Sequence, residues 1–254
     1  MKLAIIGGGN MGGSIAAGAV AKKVVSTDQI IISHPKRELS DMLAGLRSTR
    51  DNVQAIEGAD LIVIAVKPWL MEQVAKELAP HVDPQKQCIV SIAAGIPFSS
   101  LEEWFGSAGL FRVIPNTAIS LGCSVTFIAR HGASEAQREA VVRLFSALGQ
   151  VFEIDEQQMQ AGTALASCGI AYALRYLDAA AHGGERLGID YPTSLQIVIN
   201  TMKGALALLD ANQSTPQQEI DKVTTPGGIT LRGLEAMEGN GFSGAVTAGL
   251  EASK

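Results

Sequence analysis

The opening stretch Met1-Lys-Leu-Ala-Ile-Ile-Gly-Gly-Gly-Asn-Met-Gly-Gly-Ser-Ile15 sets a short apolar run directly against Gly7-x-Gly9-x-x-Gly12. No other feature restricts the fold of this chain as strongly. In a strand-turn-helix unit with this spacing the first glycine allows the tight turn, the second lets a pyrophosphate approach the backbone, and the third lets the helix sit close to the sheet. The helix then points its unpaired N–H groups at the phosphates. Gly7, Gly8, Gly9, Asn10, Met11 and Gly12 are therefore the first dinucleotide-binding candidates. The spacing alone also occurs in ordinary strand-helix turns, so its weight comes from the flanks: an apolar strand ending at Ile6 and the helical run Ile15-Ala-Ala-Gly-Ala-Val20.

From residue 1 to about 155 short apolar runs alternate with amphipathic stretches, the rhythm of βαβ units and a mostly parallel sheet. Strands are expected over Lys2 to Ile6, Gln29 to Ser33, Leu61 to Val66, Cys88 to Ile92, Leu110 to Ile114, Ser124 to Ala129 and Val151 to Ile154. Helices are expected over Met11 to Lys22, Arg37 to Leu43, Trp69 to Leu78, Phe98 to Phe105 and Glu135 to Leu148. Pro68, Pro84, Pro97 and Pro115 fall at the seams, where a missing donor is tolerated. Beyond Asp155 the strands stop, and helices are expected over Glu156 to Leu187, Thr193 to Ala211, Gln217 to Thr224, Thr230 to Glu238 and Ser243 to Ala252. The expected fold class is α/β: a Rossmann-type doubly wound, mostly parallel sheet over residues 1–155, then an all-α domain over residues 156–254.

A chain of 254 residues can bury the core of two such domains. The run Leu195 to Leu209 is apolar around most of its circumference and calls for cover on more than one side. Cover by a second subunit predicts a homodimer or larger homo-oligomer through the helical domain; packing under the first domain is the alternative. A net charge of -5 gives no basic footprint for nucleic acid or an anionic membrane. No apolar run reaches the length of a membrane span, and the first one is too short for a secretory h-region. The three cysteines, Cys88, Cys123 and Cys168, are odd in number and widely spaced, which suits a reducing, cytoplasmic setting. The histidines His34, His81, His131 and His182 are scattered without metal-ligand spacing, no Cys-x-x-Cys occurs, and no Gly-x-Ser-x-Gly marks a nucleophile. A small-molecule substrate with no metal is expected.

The adenosine end of the dinucleotide is read from Ile32-Ser33-His34-Pro35-Lys36-Arg37. An NAD-specific site places an acid near this strand end to hold the 2′-hydroxyl. Here Ser33, Lys36 and Arg37 offer a hydroxyl and two cations, which suit a 2′-phosphate. NADP(H) is the expected coenzyme, with NAD(H) possible, and surface decoration of a helix is the other reading of Lys36 and Arg37.

Further segments, in this order and over nearly the whole chain, make it similar to pyrroline-5-carboxylate reductases. They are Gly7 to Gly12, Ala65-Val-Lys-Pro68, Ser91-Ile-Ala-Ala-Gly95, Arg112-Val-Ile-Pro-Asn-Thr117, Ala171-Tyr172 and Thr225-Pro-Gly-Gly-Ile-Thr-Leu231. The loops after Leu61 to Val66 and after Cys88 to Ile92 belong at the carboxyl edge of a doubly wound sheet, where ligands bind. The resemblance implies that Ala65, Val66, Lys67, Pro68, Ala93, Ala94 and Gly95 hold the nicotinamide and its ribose, that Asn116 also binds the cofactor, and that Asn52 lies near the adenosine. Lys67 could otherwise be a solvent-facing loop residue and Asn52 an N-terminal helix residue. Pro226 with two glycines ahead of a helix makes an anion nest. The resemblance places the substrate carboxylate there, on Thr225, Gly227, Gly228, Ile229 and Thr230; an ordinary helix-helix turn is the plain alternative.

The activity so implied is NADPH-dependent reduction of the cyclic imine 1-pyrroline-5-carboxylate to L-proline by direct hydride transfer, the last step of proline biosynthesis. An iminium accepts hydride readily, so a strong protein acid is not needed, in keeping with the lack of a catalytic His or Asp/Glu constellation. Thr230 is the catalytic candidate, hydrogen-bonded to the ring nitrogen. Departures from the family pattern are Cys168 for serine, Ile170 for proline, Ile114 for methionine and Ala118 for proline. They keep open another imino acid such as piperideine carboxylate, a β-hydroxyacid or deazaflavin type of NADP oxidoreductase, and a non-catalytic NADP(H)-binding module.

Overall fold

The computed structural model describes residues 1–34, 43 and 45–253. They form two compact units, Met1–Ser167 and Cys168–Lys254, each taken here by itself.

In the first unit the strands are β1 (Leu3–Ile6), β2 (Ile30–Ser33), β3 (Arg47–Thr49), β4 (Leu61–Ile64), β5 (Cys88–Ser91), β6 (Gly109–Ile114), β7 (Ser124–His131) and β8 (Gly149–Glu153). Its helices are α1 (Asn10–Ala21), α2 (Asn52–Ile56), α3 (Met71–Leu78), α4 (Phe98–Phe105), α5 (Glu135–Ser146) and α6 (Met159–Gly162). The strands make one sheet of order β3-β2-β1-β4-β5-β6-β7-β8. Pairing is parallel from β3 to β6, antiparallel between β6 and β7, and parallel again between β7 and β8. Chain direction across the sheet reverses its winding between β1 and β4, the switch point at which ligands sit in such folds.

Continuous burial of Leu3, Ala4, Ile5 and Ile6 follows from a sheet covered on both faces. Alternation divides these residues: Leu3, Ile5, Leu61, Val63, Cys88 and Val90 join one core with α1 and α5, while Ala4, Ile6, Ile62, Ile64 and Ile89 join another with α2, α3 and α4. Burial drives Cys88 up to about 12, so this thiol is inert filling. Glu156 closes the far side of the sheet. Its Oε1 accepts from the Phe98 amide at the start of α4 and from Arg112 Nη1 of β6, both at 2.7 Å.

All seven expected strands are present within a residue or two. The edge strand β3 was not expected, because Arg47-Ser-Thr49 has no apolar run; it forms by register with Ile31, Ile32 and Ser33. Helix α2 begins at Asn52, as the alternative reading of that residue as an N-terminal helix residue has it. It is only five residues long and is held by Asp51, whose carboxylate accepts from the amides of Val53 at 2.8 Å and Gln54 at 3.0 Å. The helix expected over Arg37 to Leu43 lies outside the described residues except for the buried Leu43.

The long helix expected over Glu156 to Leu187 is interrupted. A 3₁₀ turn, Glu156–Gln158, leads into α6, a π-helical stretch Thr163–Cys168 follows, and α7 (Gly169–Arg186) continues into the second unit. The break between the two compact units falls inside the π-helix. The second unit adds α8 (Tyr191–Asn212), α9 (Pro216–Val223), α10 (Ile229–Gly239) and α11 (Phe242–Glu251). Asp190 caps α8, Tyr191 donates its hydroxyl to Asp178 Oδ1 of α7 at 2.9 Å, and Tyr172 of α7 donates to the Gly249 carbonyl of α11 at 3.0 Å. No helix among the described residues is long and apolar enough to cross a membrane.

Truncating Phe111, wholly buried in β6, should cost the first unit about 3–5 kcal/mol. Urea unfolding of Phe111→Ala should show an earlier midpoint with little change of slope; an unchanged midpoint would contradict this core assignment.

Candidate active site

The turn after β1 is built on a contact that leaves no space for a side chain. Gly7 has φ +109°, and a Cβ there would lie 2.6 Å from the carbonyl oxygen of Ala65. A Cβ on Gly12 would lie 2.0 Å from the Gly7 carbonyl oxygen and 2.9 Å from Ala65 Cβ. The turn is pinned on its other side by the Gly7 amide, which donates to the Ser33 carbonyl at 2.9 Å. Gly9 differs: a Cβ there meets nothing within 4 Å. It caps α1 with no side-chain hydrogen bond, so the first amides of the helix face open space at an exposed glycine. An anion fits this cradle better than any side chain the chain supplies.

The remaining first-unit candidates lie along the same carboxyl edge. Ala65, Val66, Lys67 and Pro68 follow β4, with Lys67 exposed as the N-cap of the 3₁₀ turn Pro68–Leu70. Ala93, Ala94 and Gly95 follow β5; Ala93 is buried, Ala94 and Gly95 are exposed, and the buried Ser91 Oγ just before them lacks a hydrogen-bond partner among the described residues. An unpaired hydroxyl at the rim is a group a polar ligand could satisfy. Asn116 follows β6 and is 5% exposed. Its amide is engaged on both sides, Oδ1 accepting from the Ala118 amide at 3.2 Å and Nδ2 donating to the Ala166 carbonyl of the π-helix at 3.3 Å.

At the adenosine end the structure differs from a hydroxyl free to meet phosphate. Ser33 is wholly buried and donates its hydroxyl to Asn52 Oδ1 at 2.5 Å, and Asn52 Nδ2 donates to Glu77 Oε2 of α3 at 2.9 Å. Asn52 is 6% exposed, so the pair acts as an internal tie between β2, α2 and α3. Nothing in the sequence pointed to Glu77, which is brought in by the packing of α3 on α2. Lys36 and Arg37 lie outside the described residues.

The second-unit candidates form a tight turn at the start of α10. The Gly228 amide donates to the Thr225 carbonyl at 2.8 Å around Pro226 and Gly227. Gly227 has φ +72°, which the third position of such a turn demands. Gly228 caps the helix without a side-chain bond, leaving the first amides of Ile229 and Thr230 toward solvent, with Ile229 79% exposed. Thr225, Gly227 and Thr230 are exposed beside it, Gly228 partly so. The approach to this turn is braced by Glu219 of α9, whose Oε1 accepts from Lys222 Nζ at 2.7 Å, from Asn212 Nδ2 at 3.0 Å and from Ser214 Oγ. Lys222 first, then Ser214, holds the Glu219 carboxyl down to about 2.

Two outcomes follow. Gly9→Ala should leave the fold intact and weaken dinucleotide binding by about tenfold or more, whereas Gly12→Ala should lose folded protein, because its Cβ must displace backbone; thermal melting with and without ligand separates them, and equal stability of the two variants would refute the cradle. Because Glu219 is depressed in the folded chain, its contribution is complete above the ordinary glutamate range and is lost as pH falls toward about 2. Glu219→Gln should therefore flatten the acid limb of the stability curve, and an unaltered limb would show the brace to be idle.

Comparison with known proteins agrees with this geometry in both units. Residues 156–254 match the family model described as pyrroline-5-carboxylate reductase dimerisation, and residues 2–95 match one described as NADP oxidoreductase, coenzyme F420-dependent. The pyrroline-5-carboxylate reductase of Pseudomonas aeruginosa is 35% identical over 99% of this chain and 94% of its own length. The pyrroline carboxylate reductase of Plasmodium falciparum, solved with NADP bound, superposes with a TM-score of 0.91 at 27% identity, covering 100% of this chain and 95% of that one. The enzyme of Streptococcus pyogenes gives 0.86 at 29% identity, covering 100% and 96%. A glycine cradle at one sheet edge and a Pro-Gly-Gly turn at a helix start, in a chain similar to these reductases over its full length, have one common source: the chain belongs to the pyrroline-5-carboxylate reductase family.

Proposed function

We propose that this chain reduces 1-pyrroline-5-carboxylate to L-proline with NADPH, NADH being the alternative donor. The observation that supports it most is the open, side-chain-free Gly9 cradle in a chain whose full-length relatives are named for this reaction. When bound, the reduced nicotinamide supplies a hydride to the C=N carbon. The chain's own residues bind and orient. Gly7 to Gly12 with the start of α1 take the pyrophosphate. Ala65, Val66, Lys67, Pro68, Ala93, Ala94 and Gly95 line the edge toward the nicotinamide. Asn116 supports this edge from behind, and Ser33 with Asn52 supports the adenosine side, where Lys36 and Arg37 supply cations for a 2′-phosphate.

Thr225, Gly227, Gly228 and Ile229 offer backbone amides to the substrate carboxylate, aided by the positive end of α10. The Thr230 hydroxyl is the partner of the ring nitrogen, orienting the imine and able to pass it a proton. With Cys88 buried and His or carboxylate pairs absent from these loops, orientation is what the protein contributes. In this reading the domains divide as a dinucleotide domain over 1–155 and a substrate and dimerisation domain over 156–254. The apolar residues Ile197, Leu206 and Leu208, exposed on α8, are covered by a second copy of the chain. The free thiols of Cys88, Cys123 and Cys168 suit a cytoplasmic protein.

The test is loss of NADPH absorbance with racemic pyrroline-5-carboxylate, with proline identified as product and the assay repeated with NADH and with piperideine carboxylate. Turnover confined to the six-membered ring would move the substrate to that imine; no turnover with any imine would defeat the proposal. Thr230→Ala should lower kcat/KM by about 10²-fold or more with NADPH affinity kept. An unchanged kcat/KM would withdraw the role of Thr230.

A further inference from the structure

Residues 92–97 join β5 to α4 and carry Ala93, Ala94 and Gly95. The entry to this loop is fixed by the Ile92 amide, which donates to the Ile64 carbonyl beyond β4 at 3.2 Å. Past that point, among the described residues, no hydrogen bond ties the amides of residues 93–96 to another element. Ala93 and Ile96 rest on the core beneath, a kind of contact that has no preferred direction. What aims the loop must therefore act at its exit.

The exit is held by Glu156. Pro97 caps α4 without a side-chain bond, so the Phe98 amide is one of the orphan donors of that helix. Glu156 Oε1 accepts from it at 2.7 Å, and the same oxygen accepts from Arg112 Nη1 at 2.7 Å. Arg112 stands in register with Ser91, the last residue of β5, and its guanidinium lies 6.0 Å from the centre of the Phe98 ring. The Arg112 side chain is only 12% exposed, so water competes little for the contact. One carboxylate oxygen thus sets the far end of the β5 loop against the strand that runs on to Asn116. Glu156 is itself fixed, on a 3₁₀ turn closed by the capping box of Asp155 and Gln158. From there the chain passes through α6 to the π-helix, where the Ala166 carbonyl accepts from Asn116 Nδ2. The strap from Glu156 to Ala166 therefore meets the carboxyl edge twice, at the loop after β5 and at the exit of β6.

We propose that Glu156, with Arg112, is a positioning residue for the nicotinamide end of the coenzyme, setting the reach of Ala93, Ala94 and Gly95 without touching the ligand. The proposal rests on the coenzyme reading above and adds the group that aims this loop. A shielded ion pair contributes little net stability, because desolvation offsets its attraction; what this pair supplies is direction.

The experiment compares ligands that reach different ends of the site, on the full chain. Titrations use NADPH, 2′,5′-ADP, which has the adenosine end alone, and reduced nicotinamide mononucleotide, which lacks it. Glu156→Ala should weaken NADPH and the mononucleotide by about tenfold and leave the Kd of 2′,5′-ADP unchanged. Glu156→Gln keeps an acceptor oxygen for both donors and should restore most of the affinity. Arg112→Lys keeps the charge but not the planar fork, and should weaken the mononucleotide by about threefold at full 2′,5′-ADP affinity. This variant carries the test if Glu156→Ala does not fold. Weakening of 2′,5′-ADP in step with NADPH would mark a general loss of structure and overturn the proposal. So would unchanged mononucleotide and NADPH binding in a Glu156→Ala or Arg112→Lys chain, even with a lowered Tm, since the tie would then serve the fold alone. In either case NADPH binding by the unaltered chain leaves the coenzyme reading standing. If the unaltered chain binds neither NADPH nor 2′,5′-ADP, that reading falls, and the positioning role with it.

Discussion

Between the turn that leaves β1 and the first residue past β4 there is room for backbone and nothing else. Gly7 presses on the Ala65 carbonyl, and Gly12 presses on both Gly7 and Ala65. Because parallel register ties β1 to β4 and β4 to β5, this contact fixes more than one loop. It sets the direction of α1, and with it the direction of the free amides beyond Gly9. It also sets where the chain resumes at Lys67. A side chain at either glycine would separate the two strand ends and disperse the whole edge.

The polar groups beneath this edge are disposed to stiffen it. Ser33, Asn52 and Glu77 join β2, α2 and α3 by two hydrogen bonds, and Asn116 joins the exit of β6 to the π-helix through Ala166. Ser33, Asn52 and Asn116 are buried, where a missing partner would cost about 1–3 kcal/mol, while Glu77 reaches in from an exposed position. Such residues hold a ligand site by holding its walls. Glu77 also brings a negative charge behind Asn52, so the positive charge a 2′-phosphate requires must come from elsewhere; Lys36 and Arg37 stand three and four residues beyond Ser33.

Most of the sheet was legible because a strand buried on both faces must be apolar at nearly every position, and Leu3 to Ile6, Leu61 to Ile64 and Cys88 to Val90 satisfy that. Glycine spacing located the cradle for a similar reason: the close approach admits one residue type. What escaped was whatever depends on partners distant in sequence. Arg47 to Thr49 becomes a strand only beside Ile31 to Ser33, and Asn52 is oriented by a glutamate on another helix. Thr225 to Thr230 was recognisable as a turn and a possible anion nest from Pro226 and the glycines, whereas the substrate carboxylate expected there came from resemblance to a family and not from the spacing.

Two of the four departures from the family pattern fall where the helix winds most loosely. Cys168 ends the π-helical stretch and Ile170 is the second residue of α7. A π-turn leaves one more residue per turn to accommodate, and such turns recur at functional sites because they turn side chains off the regular face. A proline at position 170 would remove an amide donor from this junction and fix its φ; isoleucine restores the donor and adds a branched side chain. The Ala166 carbonyl, within the same stretch, is taken up by Asn116 and so does not depend on the helix for a partner. The junction can therefore keep its π-turn without the proline, and the substitution at Ile170 alters the shape it presents more than whether it forms.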